Sequence, residues 1–255
     1  MAVDLPPPPV AAASVSAALT TTKVEVSSDY HGQKIVLYGA VFNSTDRPAD
    51  VVVVVRGPDQ PVRIARKVQV AGLWLNSRPV VFQGAPGFYT VASSRPLSQI
   101  ADYGTLRRLA IGIDHLAFKT PTDGAVETRF GVKDLVVSRL GSDYLDYRRA
   151  VVRIKHSAGL YDQNERGVTY VDKGLFRAEI NLPTAAPIGR YQAEIHLFQE
   201  GREVQVRQRT LEVRKVGIER TIYLFAHERP WAYGFLAVFL AIASGYGASV
   251  IFRRS

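Results

Sequence analysis

One segment constrains this chain more than any other: in Pro230 to Phe252 (PWAYGFLAVFLAIASGYGASVIF), 22 residues follow the proline without a charge. At about 1.5 Å per residue a helix of that length reaches on the order of 33 Å, which matches the ~30 Å hydrocarbon core of a bilayer. Its flanks suit the two interfaces. His227, Glu228, Arg229, Trp231 and Tyr233 stand at one end and Arg253 and Arg254 at the other, where aromatic belts and cationic anchors gather. A buried core helix is the competing reading, but such helices are shorter and seldom apolar on every face. We therefore expect one transmembrane helix over 230–252, with a three-residue tail, 253–255. Ala237, Ala241, Gly245 and Ser249 recur every four residues within it. That spacing puts four small side chains on one stripe, a candidate helix-packing surface for a partner helix or for self-association in lipid.

Orientation is less constrained. Arg253 and Arg254 argue for a cytoplasmic tail, while Lys215, Arg220 and Arg229 lie on the other side of the span. A cytoplasmic tail requires that everything upstream be exported. The start, MAVDLPPPPVAAASVSAALTTT, offers a small-residue run and a Val-Ser-Ala cleavage site ending at Ala17, but no basic leader and four consecutive prolines. Two readings stay open on these residues: an exported protein, or a cytoplasmic tail-anchored adaptor.

The 255-residue chain is long enough for one or two packed domains. Hydrophobic residues make up 47% and charged residues 22%, so a large core is available and wholesale disorder is not expected. The absence of cysteine excludes disulfide frameworks, thiolate metal sites and thiol nucleophiles.

Residues 1–20 are rich in Pro, Ala and Ser and read as disordered or as a residual signal region. Strand signals then come densely through a first β-rich domain, 21–138. Lys34 to Phe42 is almost continuously apolar, and Val51 to Val55 is an unbroken valine run between Asp50 and Gly57-Pro58. Val62, Ile64, Val68 and Val70 keep a two-residue beat that predicts one strand with a wet face. Leu73-Trp74-Leu75, Val80 to Phe82 and Phe88 to Ala92 continue the series, and Pro96 to Tyr103 could form a short helix. A helical connector over 139–159 follows, with Ser142 as its cap, a face of Tyr144, Tyr147, Val151, Ile154 and Ala158, and Gly159 as its stop. In the second β-sandwich-like region, 160–216, Phe176, Ala178, Ile180 and Leu182 alternate with polar residues, as do Tyr191, Ala193, Ile195 and Leu197. The bend PTAAPIGRY separates these two strands, and a change of apolar phase toward Leu211 and Val213 suggests a bulge or bend near Thr210. A juxtamembrane segment, 217–229, leads to the span. The fold class expected is mainly β: two immunoglobulin-like or β-sandwich regions joined by the connector, plus the C-terminal transmembrane helix.

LYGA (Leu37 to Ala40), VVVVVRGP (Val51 to Pro58), RKVQVAGLWLN (Arg66 to Asn76), FYTVASSRPL (Phe88 to Leu97), LFRAEINLPTAAPIGRY (Leu175 to Tyr191) and FAHERPWAYG (Phe225 to Gly234) follow one another in a specific order. In that order they resemble the alphaproteobacterial family of single-span transmembrane proteins, from about residue 22 to the end. The resemblance implies a cleaved signal, a periplasmic β-rich region and a carboxyl-terminal span, and so favours export. The start of this chain departs from that pattern. No reaction is established for the family, so no catalytic residue carries over. The resemblance also brings a permease of the sulfite-exporter kind into consideration as a partner.

Motifs for chemistry are sparse. His31, His115, His156, His196 and His227 include no pair at metal-ligand spacing, and no nucleophile elbow, phosphate loop or dinucleotide fingerprint is present. Asp114-His115 is the most suggestive acid-base pair, yet neighbours on a strand would point to opposite faces. His196 reads as an outward residue. Asp143 and Asp146 fit helix-dipole complementarity. No catalytic, metal or cofactor-binding residue is assigned, and no cofactor is expected. The net charge of +9, with basic stretches at Arg63, Arg66, Lys67 and at Arg202, Arg207, Arg209, favours anionic partners such as lipid headgroups, acidic proteins or small anions. Nucleic acid is not expected. The function expected is a non-enzymatic binding or accessory subunit at the inner membrane, with Trp74, the strand Lys34 to Phe42 and the small-residue stripe as contact candidates. The rival is an envelope enzyme with a site assembled from loops.

Overall fold

The computed structural model describes residues 13–27, 30–42, 48–77, 79–116, 118–119, 126–129, 132–135 and 143–215, and seven single positions between 231 and 245. The chain falls into a main unit, 1–24 with 30–214, and a second unit, 25–29 with 215–255.

The described strands are β1 (Ser14–Leu19), β2 (Lys23–Val26), β3 (Gln33–Phe42), β4 (Ala49–Arg56), β5 (Asp59–Ile64), β6 (Lys67–Val70), β7 (Leu73–Asn76), β8 (Val80–Pro86), β9 (Tyr89–Ser93), β10 (Val126–Arg129), β11 (Val132–Leu135), β12 (Tyr161–Asn164), β13 (Val168–Asp172), β14 (Leu175–Leu182), β15 (Gly189–Gln199) and β16 (Arg202–Lys215). Two short helices, α1 (Leu97–Ile100) and α2 (Tyr103–Leu109), follow β9, and α3 (Tyr144–Ser157) precedes β12. A four-stranded sheet, β1-β3-β14-β13, faces a six-stranded sheet, β12-β9-β4-β15-β16-β2. Among the described residues three two-stranded pairs, β5-β8, β6-β7 and β10-β11, complete the sheet content.

Mainly β is therefore right, but the expected division into two sandwiches is not. β3, from the amino-terminal half, pairs along its length with β14, and β4 pairs with β15. Both halves supply strands to the same two sheets, so neither could close a core alone. Strand alternation in the sequence reports which face of a strand is buried and is silent about the partner that buries it.

The inner face of the smaller sheet carries Ile35, Leu37, Phe176, Ala178, Ile180 and Leu182, all buried. Opposite them stand Val51, Val53, Val55, Ala193, Ile195 and Leu197 of the larger sheet, also buried. Val52 and Val54 point the other way and are buried too; on that second face Arg56 and Tyr89 bond Ala110 and Gly112, so the turn after α2 lies over it. That double coverage explains an unbroken valine run where a half-exposed strand would alternate.

Four local expectations need correction. Residues 14–19 form β1, with Val15 and Ala17 buried against β3, so a cleavage after Ala17 would cut through a strand. The beat from Val62 to Val70 is interrupted at Ala65-Arg66, and β5 pairs with β8 while β6 turns back onto β7. The bulge in the β15-β16 ribbon lies at Leu197/Phe198, opposite Val204, and not near Thr210. The phase change toward Leu211 and Val213 arises because these two lie on the covered face, whereas Val206 lies on the other and is partly exposed. Finally, α3 buries Val151 and Lys155 and leaves Ile154 exposed. Lys155 lays its apolar stem along the body, and its ammonium reaches Gln60 Oε1 at 3.4 Å, with burial pulling its pKa down. The bend after Leu182 and the Gly159 stop are as expected, Gly159 adopting φ +68°.

The outer edge of β1 is covered by side chains instead of another strand. Gln205 Oε1 accepts from Val15 N–H at 2.5 Å, Arg209 Nε donates to Ala17 O at 2.8 Å and Arg207 Nε to Val15 O at 3.4 Å. These contacts tie β16 of one sheet to β1 of the other and blunt an edge that would otherwise invite pairing. One of the two basic clusters thus has a structural task.

Candidate functional site

The five histidines come first, as the natural carriers of chemistry. Asp114 and His115 sit on a 3-10 turn, Ile113–His115, and not on a strand. Arg148 of α3 clamps that turn, donating to Ile113 O at 3.0 Å, Asp114 O at 2.6 Å and Leu116 O at 3.2 Å. Gln163 Oε1 accepts from Ile113 N–H at 3.0 Å. A recess of about 300 Å³ opens beside it, lined by Leu97, Tyr103, Leu106, His115, Gln163 and Glu165 among others. His115 Nδ1 is buried without a hydrogen-bond partner, so the adjacent carboxylate does not orient the ring. Burial lowers the His115 pKa, the imidazole packs edge-on against Tyr103 at 4.8 Å, and Asp102 is engaged in capping α2 through Thr105 N–H. The recess presents polar groups without a nucleophile and base joined in one hydrogen-bonded pair.

His196 corrects the sequence reading. It is buried, opposite Val52 and Val206, with Nδ1 2.5 Å from Glu203 Oε1 and Nε2 3.6 Å from Glu194 Oε2. The contact with His196 holds the Glu194 carboxyl below the usual range, against the opposing effect of burial. Alternation placed His196 on the outward phase correctly, but at this position that phase is covered, although Val206 opposite it stays exposed. His31 and His156 are exposed, and His227 lies outside the described residues. Among the described residues no group of three or more His, Asp or Glu could hold a metal ion.

The surface offers more than the interior. β6 and β7 form a hairpin of their own, joined by Ala71 (φ +49°) and Gly72 (φ +84°), the two left-handed residues that a tight two-residue turn requires. Every residue of β7 is exposed, with Leu73 at 67%, Trp74 at 67% and Leu75 at 50%. At the hairpin's base, paired backbone and side-chain bonds between Arg66 and Ser77 close the ribbon. There a groove of about 470 Å³ runs between Arg66-Lys67 and α3. Arg66, Lys67, Arg149 and Arg153 line it against one carboxylate, Asp146. Arg66 stacks on Tyr147 at 5.5 Å and lies 3.7 Å from Asp146, which Arg149 also approaches at 3.8 Å. The second basic cluster of the sequence is therefore a lined groove beside an apolar tip.

Of the remaining contact candidates, Lys34 to Phe42 is mostly β3, a strand between β1 and β14 that gives Ile35 and Leu37 to the core and leaves Tyr38 and Phe42 exposed. Ala241 and Gly245 are helical and exposed, four residues apart on one helix face, while Ala237 and Ser249 lie outside the described residues. Trp231, Val238 and Ile242 of the same segment are helical with 69%, 59% and 67% exposure. Among the described residues no helix is long and apolar enough to cross a membrane; most of 230–252 lies outside them.

The class the fold defines is a mainly β protein, whose described positions after residue 230 are helical and exposed. The chain belongs to the family described as "Putative transmembrane protein (Alph_Pro_TM)", whose sequence model matches residues 14–254. The match begins at the first residue of β1. No curated protein matches the sequence significantly. Among solved structures the chain is similar to AggA, the major subunit of aggregative adherence fimbriae type I from Escherichia coli, at 11% identity and a TM-score of 0.31, covering 81% of this chain and 97% of that chain. A likeness that loose carries no argument.

Proposed function

We propose that this chain is a single-pass protein of the inner membrane, its β-sandwich held in the periplasm and its carboxyl end in the cytoplasm, acting as a non-enzymatic accessory or binding subunit of an envelope or transport complex. The observation that carries the reading is the exposure of Trp231, Val238 and Ile242 on a helical segment without a charge, a surface that lipid or another helix must cover. Ala241 and Gly245 support contact with an integral membrane partner, such as a sulfite-exporter-like permease, or with a second copy. A Cβ added at Gly245 would meet nothing within 4 Å, so space for an approaching backbone is open.

The test captures the partner by cross-linking the full chain in native membranes, with a cytoplasm-only reporter fused after Ser255. The reporter is expected to be active. Ala241→Leu with Gly245→Leu is expected to reduce the captured partner about tenfold, the equivalent of about 1.4 kcal/mol of lost packing. An inactive reporter overturns the topology, and unchanged capture overturns the helix contact.

A further inference from the structure

We propose that the β6-β7 hairpin is a membrane-docking finger that seats Leu73, Trp74 and Leu75 in the interfacial layer of an anionic bilayer while the groove at its base receives headgroup phosphates.

Among the described residues the hairpin joins no larger sheet, and an isolated two-stranded ribbon is marginal in water unless something covers it. In register, Val68 lies opposite Leu75 and Gln69 opposite Trp74, so one face is apolar and the other sets the indole among Gln69, Asn76 and Lys67. Tryptophan beside polar groups at the end of an apolar ribbon suits the headgroup boundary, where the ring is half in hydrocarbon and its N–H stays wet. The backbone groups along both edges find water and headgroup acceptors there, which a dry hydrocarbon layer would not supply. Each strand reaches about 13 Å at roughly 3.3 Å per residue, sufficient for the ~5–10 Å depth at which interfacial elements lie.

Charge selects the occupant. Four cations against Asp146 leave the groove three charges positive. The existing ion pairs are long, 3.7 and 3.8 Å, between exposed side chains. Pairs of that kind hold their partners weakly, so the cations are free to turn to phosphate oxygens, which arginine meets with a bidentate fork. An anionic leaflet presents such phosphates as a sheet, at the level where the tip would enter apolar material, so both surfaces are satisfied at once. The proposal rests on the membrane attachment in the reading above, because attachment holds the body beside a bilayer at high effective concentration, but it needs no protein partner.

The full chain has two tryptophans, Trp74 and Trp231, so Trp231→Phe leaves Trp74 as the sole reporter. This variant is placed in lipid nanodiscs of phosphatidylcholine alone, or of phosphatidylcholine with phosphatidylglycerol, each with and without brominated acyl chains. Disc co-elution reads attachment separately from the fluorescence. Docking predicts a blue-shifted Trp74 emission, quenched by bromine and shielded from acrylamide, in the anionic discs and not in the neutral ones. Lys67→Glu with Arg153→Glu, both exposed and without a core contact, is expected to lower the docked-to-free ratio by at least about 25-fold, about fivefold for each basic residue beside an anionic leaflet. Leu73→Ser with Leu75→Ser is expected to abolish the blue shift while the fold, followed by near-ultraviolet circular dichroism, is retained. Emission that is identical in neutral and anionic discs, without bromine quenching, overturns the proposal. So does shielding of Trp74 found only in native membranes, which would give the finger to a protein partner.

Discussion

Gly39→Ala is expected to cost about 3 kcal/mol of stability, an unusually large effect for one methyl group. Gly39 lies on β3 with the Phe176 ring of β14 laid across it, and a Cβ there would stand 2.6 Å from the ring Cε1 and 2.7 Å from Ser16 O. The ring is fully buried between the sheets and edges against Tyr170 at 6.4 Å, so it has nowhere to retreat. The carbonyl belongs to β1, whose pairing with β3 fixes it. Overpacking of this kind moves the backbone of two strands together. Phe176→Ala alone is expected to cost about 3–5 kcal/mol through lost burial and the cavity left behind. In the double variant the new methyl enters space the ring has vacated, so the two costs should sum to less than their separate values, by roughly 1 kcal/mol or more. The residual cost comes from Ser16 O. Guanidinium unfolding of the full chain in detergent, followed by near-ultraviolet circular dichroism, measures the cycle. A Gly39→Ala variant within about 0.5 kcal/mol of the parent would mean that β1 does not lie against β3 as described.

That strand also marks how far sequence reasoning reaches. Alternation found the inner faces of β14 and β15 residue by residue, since apolar and polar positions obey the pleat wherever one face is wet. Composition found the valine run of β4 and the bend at Pro183 to Gly189. None of these signals carries pairing information. Whether Ile180 meets Ile35 or a neighbour in its own half depends on chain topology, which is why two sandwiches were expected and interleaved sheets are present. β1 was hidden because its inward residues, Val15 and Ala17, are small and sit in an alanine- and proline-rich stretch. Gly39 held the missing clue, since a glycine inside an apolar strand marks a close approach by something large.

The surface was legible in pieces. Trp74 and the basic residues Arg63, Arg66 and Lys67 stood out by type, but their juxtaposition with Arg149 and Arg153 needed α3 folded against the hairpin base. Conversely, Arg207 and Arg209 looked like the same kind of signal, yet their guanidinium groups occupy the backbone of β1. Charge counts cannot distinguish a cation that is spent on structure from one that faces outward. His196 failed for a related reason: a polar residue on the outward phase is exposed only if nothing covers that face.

Alkaline pH is expected to unfold the body cooperatively, beginning just above pH 10, because three buried tyrosines must ionise. Tyr89 donates to Ala110 O at 3.0 Å and accepts from Gly112 N–H at 2.9 Å; Tyr161 donates to Pro86 O at 2.8 Å and Tyr191 to Pro187 O at 2.6 Å. Burial pushes the Tyr89 hydroxyl up to about 12, and Arg56 beside it offsets this only in part. Burial raises Tyr161 and Tyr191 as well. Between the unfolded value near 10 and these folded values the native state keeps protons that the unfolded chain has released, so stability is complete below pH 10 and falls as pH rises. A rise of about two units at Tyr89 corresponds to roughly 3 kcal/mol, and with the other two phenols this is comparable to the whole stability of an ordinary domain. Phenolate absorbance and near-ultraviolet circular dichroism, recorded together across the titration, should therefore change in one steep step. Tyr89→Phe should make that step shallower, while at neutral pH it costs about 1–3 kcal/mol because Gly112 N–H loses its acceptor; Ala110 O keeps the Arg56 guanidinium at 2.8 Å. Gradual tyrosine ionisation with the dichroism intact through pH 12 would show that these hydroxyls are open to water, and that the second face of the larger sheet is not covered by the turn after α2.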